Sequence, residues 1–198
     1  MAGAQGRSVD SLTLAALAQI VSRMTREQLA KRIADVSLLR GEFTLRSGRK
    51  SNYYLDKYRF ETQPDVLSAL GKMLAERVTP DIVRIAGAEL GAVALAAATA
   101  MACGKPFVII RNQKKDYGTS KLIEGVLEKG EKVLIVEDVL TTGGQVIEAA
   151  KTLKDAGAVV DTIIAIIDRE EGARQNIESA GYKFEALFTT TDLGVKKE

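Results

Sequence analysis

The sequence predicts an α/β fold, a central parallel sheet flanked by helices on both faces, with a small N-terminal hood. Three observations predict it. Short apolar runs such as Val133 to Val136 lack helical punctuation and read as strands covered on both faces. Segments such as Val146 to Ala156 repeat their apolar positions at helical spacing. The two kinds of segment alternate over most of the chain, the order expected of parallel strands joined by helical crossovers. A length of 198 residues allows one domain with a sizeable core and is too short for two ordinary ones.

In chain order, residues 1–7 are expected to be disordered and Leu12 to Arg23 to form a first helix. Thr25 to Leu39 reads as an amphipathic helix, opened by Thr25 with Gln28 at capping-box spacing and stopped near Gly41. Glu42 to Phe60 changes character, its apolar residues flanking the turn-like Ser47-Gly48-Arg49-Lys50, which predicts a short hairpin. Asp65 to Val78 returns to helix after Pro64. Strands follow at Ile82 to Ala86, Phe107 to Arg111, Val133 to Val136, Val159 to Ile167 and Phe184 to Thr190. Helices fall between them, from about Ala92 to Ala102, from Gln145 to Ala156 and from Ala173 to Ala180. The division is therefore residues 1–60 as N-terminal helices and hood hairpin, residues 61–198 as core, and a single structural domain overall.

Composition narrows the chemistry. The formal charge of +2 comes from evenly mixed acids and bases, so neither nucleic acid nor a polybasic membrane anchor is indicated. The uncharged run Leu90 to Gly104 is shorter than the ~20 residues needed to cross a bilayer and predicts a buried helix. Leu12 to Val21 lacks a basic leader and a cleavage site, so a cytoplasmic protein is expected. The single cysteine, Cys103, lies in an Ala-rich stretch and reads as a small core residue. Histidine is absent, which removes His-based zinc sites, Ser-His and Cys-His nucleophile pairs and any imidazole acid–base step.

The most informative stretch runs from Val133 to Ile147. A strand ends in Glu137-Asp138, passes Val139-Leu140, and enters Thr141-Thr142-Gly143-Gly144-Gln145, the turn that opens a helix. The first backbone N–H groups of a helix lack intrahelical partners and the macrodipole is positive there, so such a turn holds a phosphate. Gly143 and Gly144 let the backbone approach it closely. Two acids beside a phosphate cradle would repel the ligand unless they meet hydroxyls or a hydrated divalent cation. A sugar phosphate with magnesium nearby meets both demands, Glu137 and Asp138 reaching the metal through water and no direct protein ligand being predicted. The plainer alternative is an ordinary turn in which Thr141 or Thr142 caps the helix and the acids face solvent. No Walker A loop or G-x-G-x-x-G turn occurs.

The second constellation is Arg111 to Lys121, which has neither helical nor strand periodicity and carries Arg111, Lys114, Lys115 and Lys121. Alone it reads as a solvated basic loop. Beside a phosphate cradle it becomes a lid that neutralises a departing diphosphate and excludes water.

The 133 block resembles the phosphoribosyl-diphosphate signature of the type I phosphoribosyltransferases: hydrophobic strand, two acids, two residues, then Thr-x-Gly. The 111–121 loop with Ile123-Glu124-Gly125, the segment Phe43 to Asp56 and Asp168-Arg169 resemble orotate phosphoribosyltransferases, so that the likeness extends over most of residues 35 to 192. The resemblance implies the type I phosphoribosyltransferase fold and a homodimer in which the loop of one subunit enters the active site of the other. It also implies magnesium-dependent joining of orotate N1 to phosphoribosyl diphosphate, giving orotidine 5′-phosphate in pyrimidine synthesis. By resemblance, Lys115 is the catalytic lysine, and Arg111, Lys114, Lys115 and Tyr117 serve the diphosphate. Asp138 joins Lys115 and Arg111 among the catalytic residues. Glu137 and Asp138 face the ribose hydroxyls, and Val139 to Gln145 hold the phosphoribosyl group. Arg169 forks onto the orotate carboxylate, with Thr141, Arg46, Tyr54 and Leu55 lining the base.

The chain departs from the family pattern in three places. Asn112 replaces a basic loop residue, Tyr117 a histidine, and Leu90-Gly91 a polar pair after the first core strand, where the backbone of Gly87 to Gly91 would serve the diphosphate instead. Two rival readings remain in view. One is a phosphoribosyltransferase for another base. The other is a non-catalytic regulator that binds phosphoribosyl diphosphate as a signal, for which an added DNA-binding domain and a basic face are missing. With the sequence ending at Glu198, a fused downstream decarboxylase is not expected.

Overall fold

The computed structural model describes residues 24–44, 48, 50–112 and 121–195. The first helix expected at Leu12 to Arg23 and the terminal disorder expected at 1–7 lie outside them.

Helix α1 (Arg26–Ser37) opens with the expected capping box: the Gln28 N–H donates to Thr25 Oγ1 at 3.2 Å and the Thr25 N–H to Gln28 Oε1 at 2.9 Å. It ends two residues earlier than expected, because Leu38 already pairs with Leu55 in an antiparallel hairpin, β1 (Leu38–Thr44) with β2 (Lys50–Leu55). What reads in the sequence as the tail of that hairpin is a separate short helix, α2 (Lys57–Glu61). Helix α3 (Pro64–Ala75) then begins at Pro64, a first-turn position where the missing N–H costs no intrahelical bond.

The core alternates as expected: β3 (Arg84–Ala88), α4 (Ala92–Cys103), β4 (Phe107–Ile110), β5 (Ile123–Glu124), β6 (Lys132–Leu140), α5 (Gly144–Asp155), β7 (Val159–Asp168), α6 (Ala173–Ser179) and β8 (Lys183–Thr189). These strands form a six-stranded sheet in the order β5-β4-β3-β6-β7-β8. All neighbours are parallel except β4 and β5, which pair antiparallel and close the base of the 111–121 loop. A two-residue strand carries no periodicity, so β5 is invisible in the sequence.

Pleating sorts β6 between two cores. Leu134 and Val136 pack with Leu29, Ile33, Phe60, Leu70 and Leu95 on the face covered by α1 to α4. Val133 and Ile135 pack with Val146, Leu153 and Ile177 on the face covered by α5 and α6. Cys103 is half-buried against the first core, and its thiol donates to the Ala100 carbonyl at 3.8 Å.

The strand expected to stop at Val136 runs on to Leu140, because Glu137, Val139 and Leu140 keep pairing with Ala165, Ile167 and Asp168 of β7. On its other side the pairing to β3 ends at Val136 with Gly87. The chain leaves β3 for β4 in one direction and β6 for β7 in the other. The sheet therefore opens a crevice between the C-terminal ends of β3 and β6, where α/β sheets bind ligands.

Gly87 makes the closing of this sheet possible. A Cβ there would run into the Ala92 backbone carbonyl and lie 2.9 Å from Ala96 Cβ, so only glycine lets α4 seat on β3. Gly87→Ala should lower the unfolding free energy by about 1–3 kcal/mol through overpacking, read by urea denaturation followed by circular dichroism; an unchanged midpoint would show that α4 gives way freely.

Candidate active site

The crevice is walled by three segments. The first is the end of β6. Its alternation sends the Asp138 carboxylate toward the α1–α4 face and Glu137 toward the other. Both are buried. Glu137 Oε1 accepts from the Asp138 backbone N–H at 3.0 Å, and Asp138 Oδ1 accepts from the Val139 N–H. Asp138 Oδ2 accepts from Lys57 Nζ at 2.6 Å. Glu61, one helical turn after Lys57, is buried on the same side, and its Oε1 has no hydrogen-bond partner among the described residues.

Packing acids together in low dielectric has a cost that shows in their protonation. Burial first, and the Asp138 charge second, push the Glu61 carboxyl up to about 8. The same two causes raise Glu137. Burial alone would pull the Lys57 ammonium down, but the Asp138 charge and hydrogen bond outweigh it and leave Lys57 raised. Lys57 is thus a fixed cation at the acid end of the crevice.

The second wall is the turn into α5. Gly143 is the N-cap, with φ of +79°, and no side chain among the described residues caps the helix. A left-handed conformation favours glycine, and a Cβ there would press on Ile177 at 3.0 Å. The capping role considered for Thr141 or Thr142 is therefore not taken, and both threonines are exposed at the surface of the turn. The Thr142 carbonyl accepts from Asn176 Nδ2 at 2.9 Å, which ties the turn to α6. The first N–H groups of α5 remain available to an anion.

The third wall is the end of β7 with the hairpin. The Arg169 N–H donates to the Leu140 carbonyl at 2.9 Å, which holds Arg169 beside the acid strand. Its side chain is 15% exposed and pairs with Glu171 at 3.0 Å. Its Nη2 donates to the Tyr53 hydroxyl at 3.3 Å, and the guanidinium lies 5.7 Å from the Tyr53 ring centre. Arg169 Nε is buried with no hydrogen-bond partner among the described residues.

The Tyr54-Leu55 pair expected at the base lies on the same strand, β2. Tyr53 is the tyrosine that meets Arg169, whereas Tyr54 is 45% exposed and stacks on Phe43 with ring centres 5.7 Å apart. Leu55, on the Tyr53 side of the strand, is buried in the core.

Arg111 stands at the base of the basic loop. Its N–H donates to the Leu122 carbonyl at 2.8 Å, and its guanidinium approaches Glu89 at 3.6 Å and Glu124 at 3.9 Å. Asn112 is tied to the same turn: its N–H donates to Glu89 Oε1 and its Nδ2 to the Glu89 carbonyl, both at 2.9 Å. The residue that departs from the basic pattern thus anchors the loop to the turn after β3, where the Glu89–Leu90 peptide is cis. Lys114, Lys115, Tyr117 and Arg46 lie outside the described residues.

The model of the phosphoribosyl transferase domain family matches residues 59–183 of this chain. An orotate phosphoribosyltransferase from Methanocella arvoryzae is 48% identical over 153 residues, which cover 77% of this chain and 87% of that protein. The chain belongs to the orotate phosphoribosyltransferase family. Its counterpart in Pyrococcus abyssi is 46% identical, with 87% of this chain and 100% of that protein covered. The structure of Mycobacterium tuberculosis orotate phosphoribosyltransferase in complex with 5-phospho-alpha-D-ribosyl 1-diphosphate superposes with a TM-score of 0.74 at 32% identity, covering 86% of this chain and 99% of that one.

Three participants at the crevice were not singled out in the sequence: Lys57, Glu61 and Tyr53. The i, i+4 spacing of Lys57 and Glu61 was a legible signal that both share a helix face; their meeting with Asp138 is a tertiary fact.

Glu61 generates a stability prediction for the metal-free protein. It ionises near 4.5 when unfolded and near 8 when folded, so the stability its protonation carries is complete below the lower value and lost as pH rises through the upper one. Melting temperature should fall from pH 4.5 to pH 8 and Glu61→Gln should flatten that slope; parallel profiles for the two proteins would show that Glu61 does not titrate as assigned.

Proposed function

We propose that this protein transfers the phosphoribosyl group of 5-phospho-α-D-ribose 1-diphosphate to N1 of orotate, giving orotidine 5′-phosphate and diphosphate in de novo pyrimidine (UMP) biosynthesis. Family membership supports the reaction. The observation that carries it in the chain itself is the uncapped N-terminus of α5 beside the Glu137-Asp138 strand end, at the point where strand order reverses.

In this mechanism Thr141 to Gln145, after Val139-Leu140, hold the 5′-phosphate on the N–H groups of α5. Glu137 and Asp138 meet the ribose hydroxyls. As the bond from C1 to diphosphate stretches, Arg111, Lys114 and Lys115 take up the negative charge of the leaving group, with Tyr117 as a hydroxyl donor, and the closed loop excludes water. Arg169 forks onto the orotate carboxylate and aims N1 at C1. Its stack on Tyr53 holds the guanidinium plane, a part that lysine could not play. Arg46, Thr141, Tyr54 and Leu55 line the base in this reading, with Tyr53 against the Arg169 guanidinium.

Glu137 and Asp138 would hold magnesium through water, the hard-oxygen chemistry that magnesium takes. The chemistry of the two carboxylates at the end of β6 suits that outer role. Bound there, it supplies charge neutralisation to the departing diphosphate. Two copies form a homodimer in the cytoplasm in this proposal, the 111–121 loop of one serving the site of the other; both features rest on the family resemblance. Among the described residues no helix is long and apolar enough to cross a membrane.

The deciding test is loss of orotate absorbance with purified protein in the presence of magnesium and phosphoribosyl diphosphate, beside uracil, adenine and hypoxanthine. Orotate-selective turnover is the expected result. Turnover with a purine would replace the substrate, and tight binding of phosphoribosyl diphosphate with no turnover would favour the regulator. Lys115→Ala should cut kcat by about 10²–10³-fold with a smaller change in KM. Arg169→Lys should raise the KM for orotate by roughly 10- to 100-fold, the worth of a bidentate charged hydrogen bond; an unchanged KM would remove Arg169 from the carboxylate.

A further inference from the structure

Lys57 comes from the hood side, outside the phosphoribosyl-diphosphate signature, yet its ammonium is seated on that signature's second acid. The Nζ–Asp138 Oδ2 distance is 2.6 Å, with the Asp138 side chain 2% exposed and the Lys57 side chain 34% exposed. One donor is therefore committed to Asp138 while the Lys57 side chain keeps partial exposure. An ammonium carries three donors and no acceptor, so its remaining capacity suits an anion.

The room for this arrangement comes from Gly91 at the start of α4. A Cβ at Gly91 would collide with Asp138 Oδ2 and lie 2.9 Å from Lys57 Nζ. The turn after β3, the end of β6 and α2 therefore meet at one point, and the Asp138 carboxylate, with the ammonium against it, fills the space a side chain at 91 would take. Lys57 is also 5.4 Å from the Tyr58 ring centre, which limits where its stem can swing.

Consider what arrives at this point if the 5′-phosphate rests on α5. The ribose ring then spans the end of β6, and the 1-diphosphate extends toward the turn after β3, past Asp138. A polyanion moving next to a buried carboxylate is repelled unless a cation stands between them. Lys57 is the side chain in that position.

We propose that Lys57 is a further substrate-contacting residue, its ammonium bridging Asp138 and the 1-diphosphate of the donor. The inference rests on the phosphoribosyl-transfer reading and deepens it. Lys57 keeps the acid usable for the ribose hydroxyls while making the same corner hospitable to diphosphate.

The test separates diphosphate from the rest of the donor. Binding of phosphoribosyl diphosphate and of ribose 5-phosphate, which lacks the diphosphate, is measured by calorimetry on the wild-type protein, Lys57→Gln and Lys57→Arg. Lys57→Gln should weaken phosphoribosyl diphosphate by roughly 10-fold or more, as expected for a charged hydrogen bond, with ribose 5-phosphate changed less than about 2-fold. Lys57→Arg should recover part of the loss. Equal weakening of both ligands would mean that Lys57 only shapes Asp138, and no weakening would mean it faces solvent; either overturns the inference while leaving the reaction in place. A wild-type protein that binds ribose 5-phosphate but not phosphoribosyl diphosphate overturns the reaction itself, and the inference with it. Should Lys57→Gln fail to fold, a crystal structure of the wild-type complex decides. Nζ within about 3.2 Å of a diphosphate oxygen supports the contact, and an ammonium left on Asp138 alone overturns it.

Discussion

Everything at the crevice depends on β6 outlasting β3. The two strands pair from Arg84 with Val133 to Gly87 with Val136, and then β3 gives way to the turn that leads into α4 while β6 continues against β7 to Leu140. Four residues of β6 are thus held as rigid strand on one edge and left open on the other. A site built on a strand keeps its side chains within a narrow range of positions, which loops do not. The pleat does the rest: consecutive acids are sent to opposite faces, so Glu137 and Asp138 face different surroundings although they are neighbours in sequence.

Charge is what the fold has to manage there. Glu61, Glu137 and Asp138 are all buried, and unpaired buried carboxylates cost several kcal/mol each unless they find a partner or a proton. Asp138 finds Lys57, while Glu61 and Glu137 are pushed toward the protonated form. Such an arrangement is poor as a device for stability, since an apolar cluster of the same volume would pack with less penalty. It makes sense as a surface prepared for a ligand rich in hydroxyls and negative charge. The opposite wall is organised the same way: among the described residues the α5 N-terminus has no side-chain cap and the Arg169 Nε has no hydrogen-bond partner.

Most of the architecture was legible because local signals agreed with one another. The Thr25–Gln28 capping box, Pro64 at a helix start and the alternation of apolar runs with helical spacing each correspond to an observed element. The turn from β6 into α5 was legible for the same reason, since glycines, a strand before and a helix after mark Thr141 to Gln145 as a strand-to-helix turn. The errors share a physical origin. Val139-Leu140 looked like the start of a turn because strand length is decided by the partner β7, which a local reading does not see. Tyr53 was not singled out because only the fold brings its ring and hydroxyl to Arg169. Lys57 and Gly91 are 34 residues apart and acquire meaning only when Asp138 comes between them. The roles expected of Lys114, Lys115, Tyr117 and Arg46 belong to segments outside the described residues.

The central claim is that the end of β6 and the first turn of α5 form one phosphoribosyl cradle. It is tested most directly by recording backbone amide resonances of isotope-labelled protein during titration with ribose 5-phosphate. The account predicts that the largest shifts fall on Gly144, Gln145 and Val146, whose N–H groups point at the phosphate, with smaller ones on Asp138 and Val139. Shifts confined to the basic loop or the hood, with the α5 amides unmoved, would contradict it.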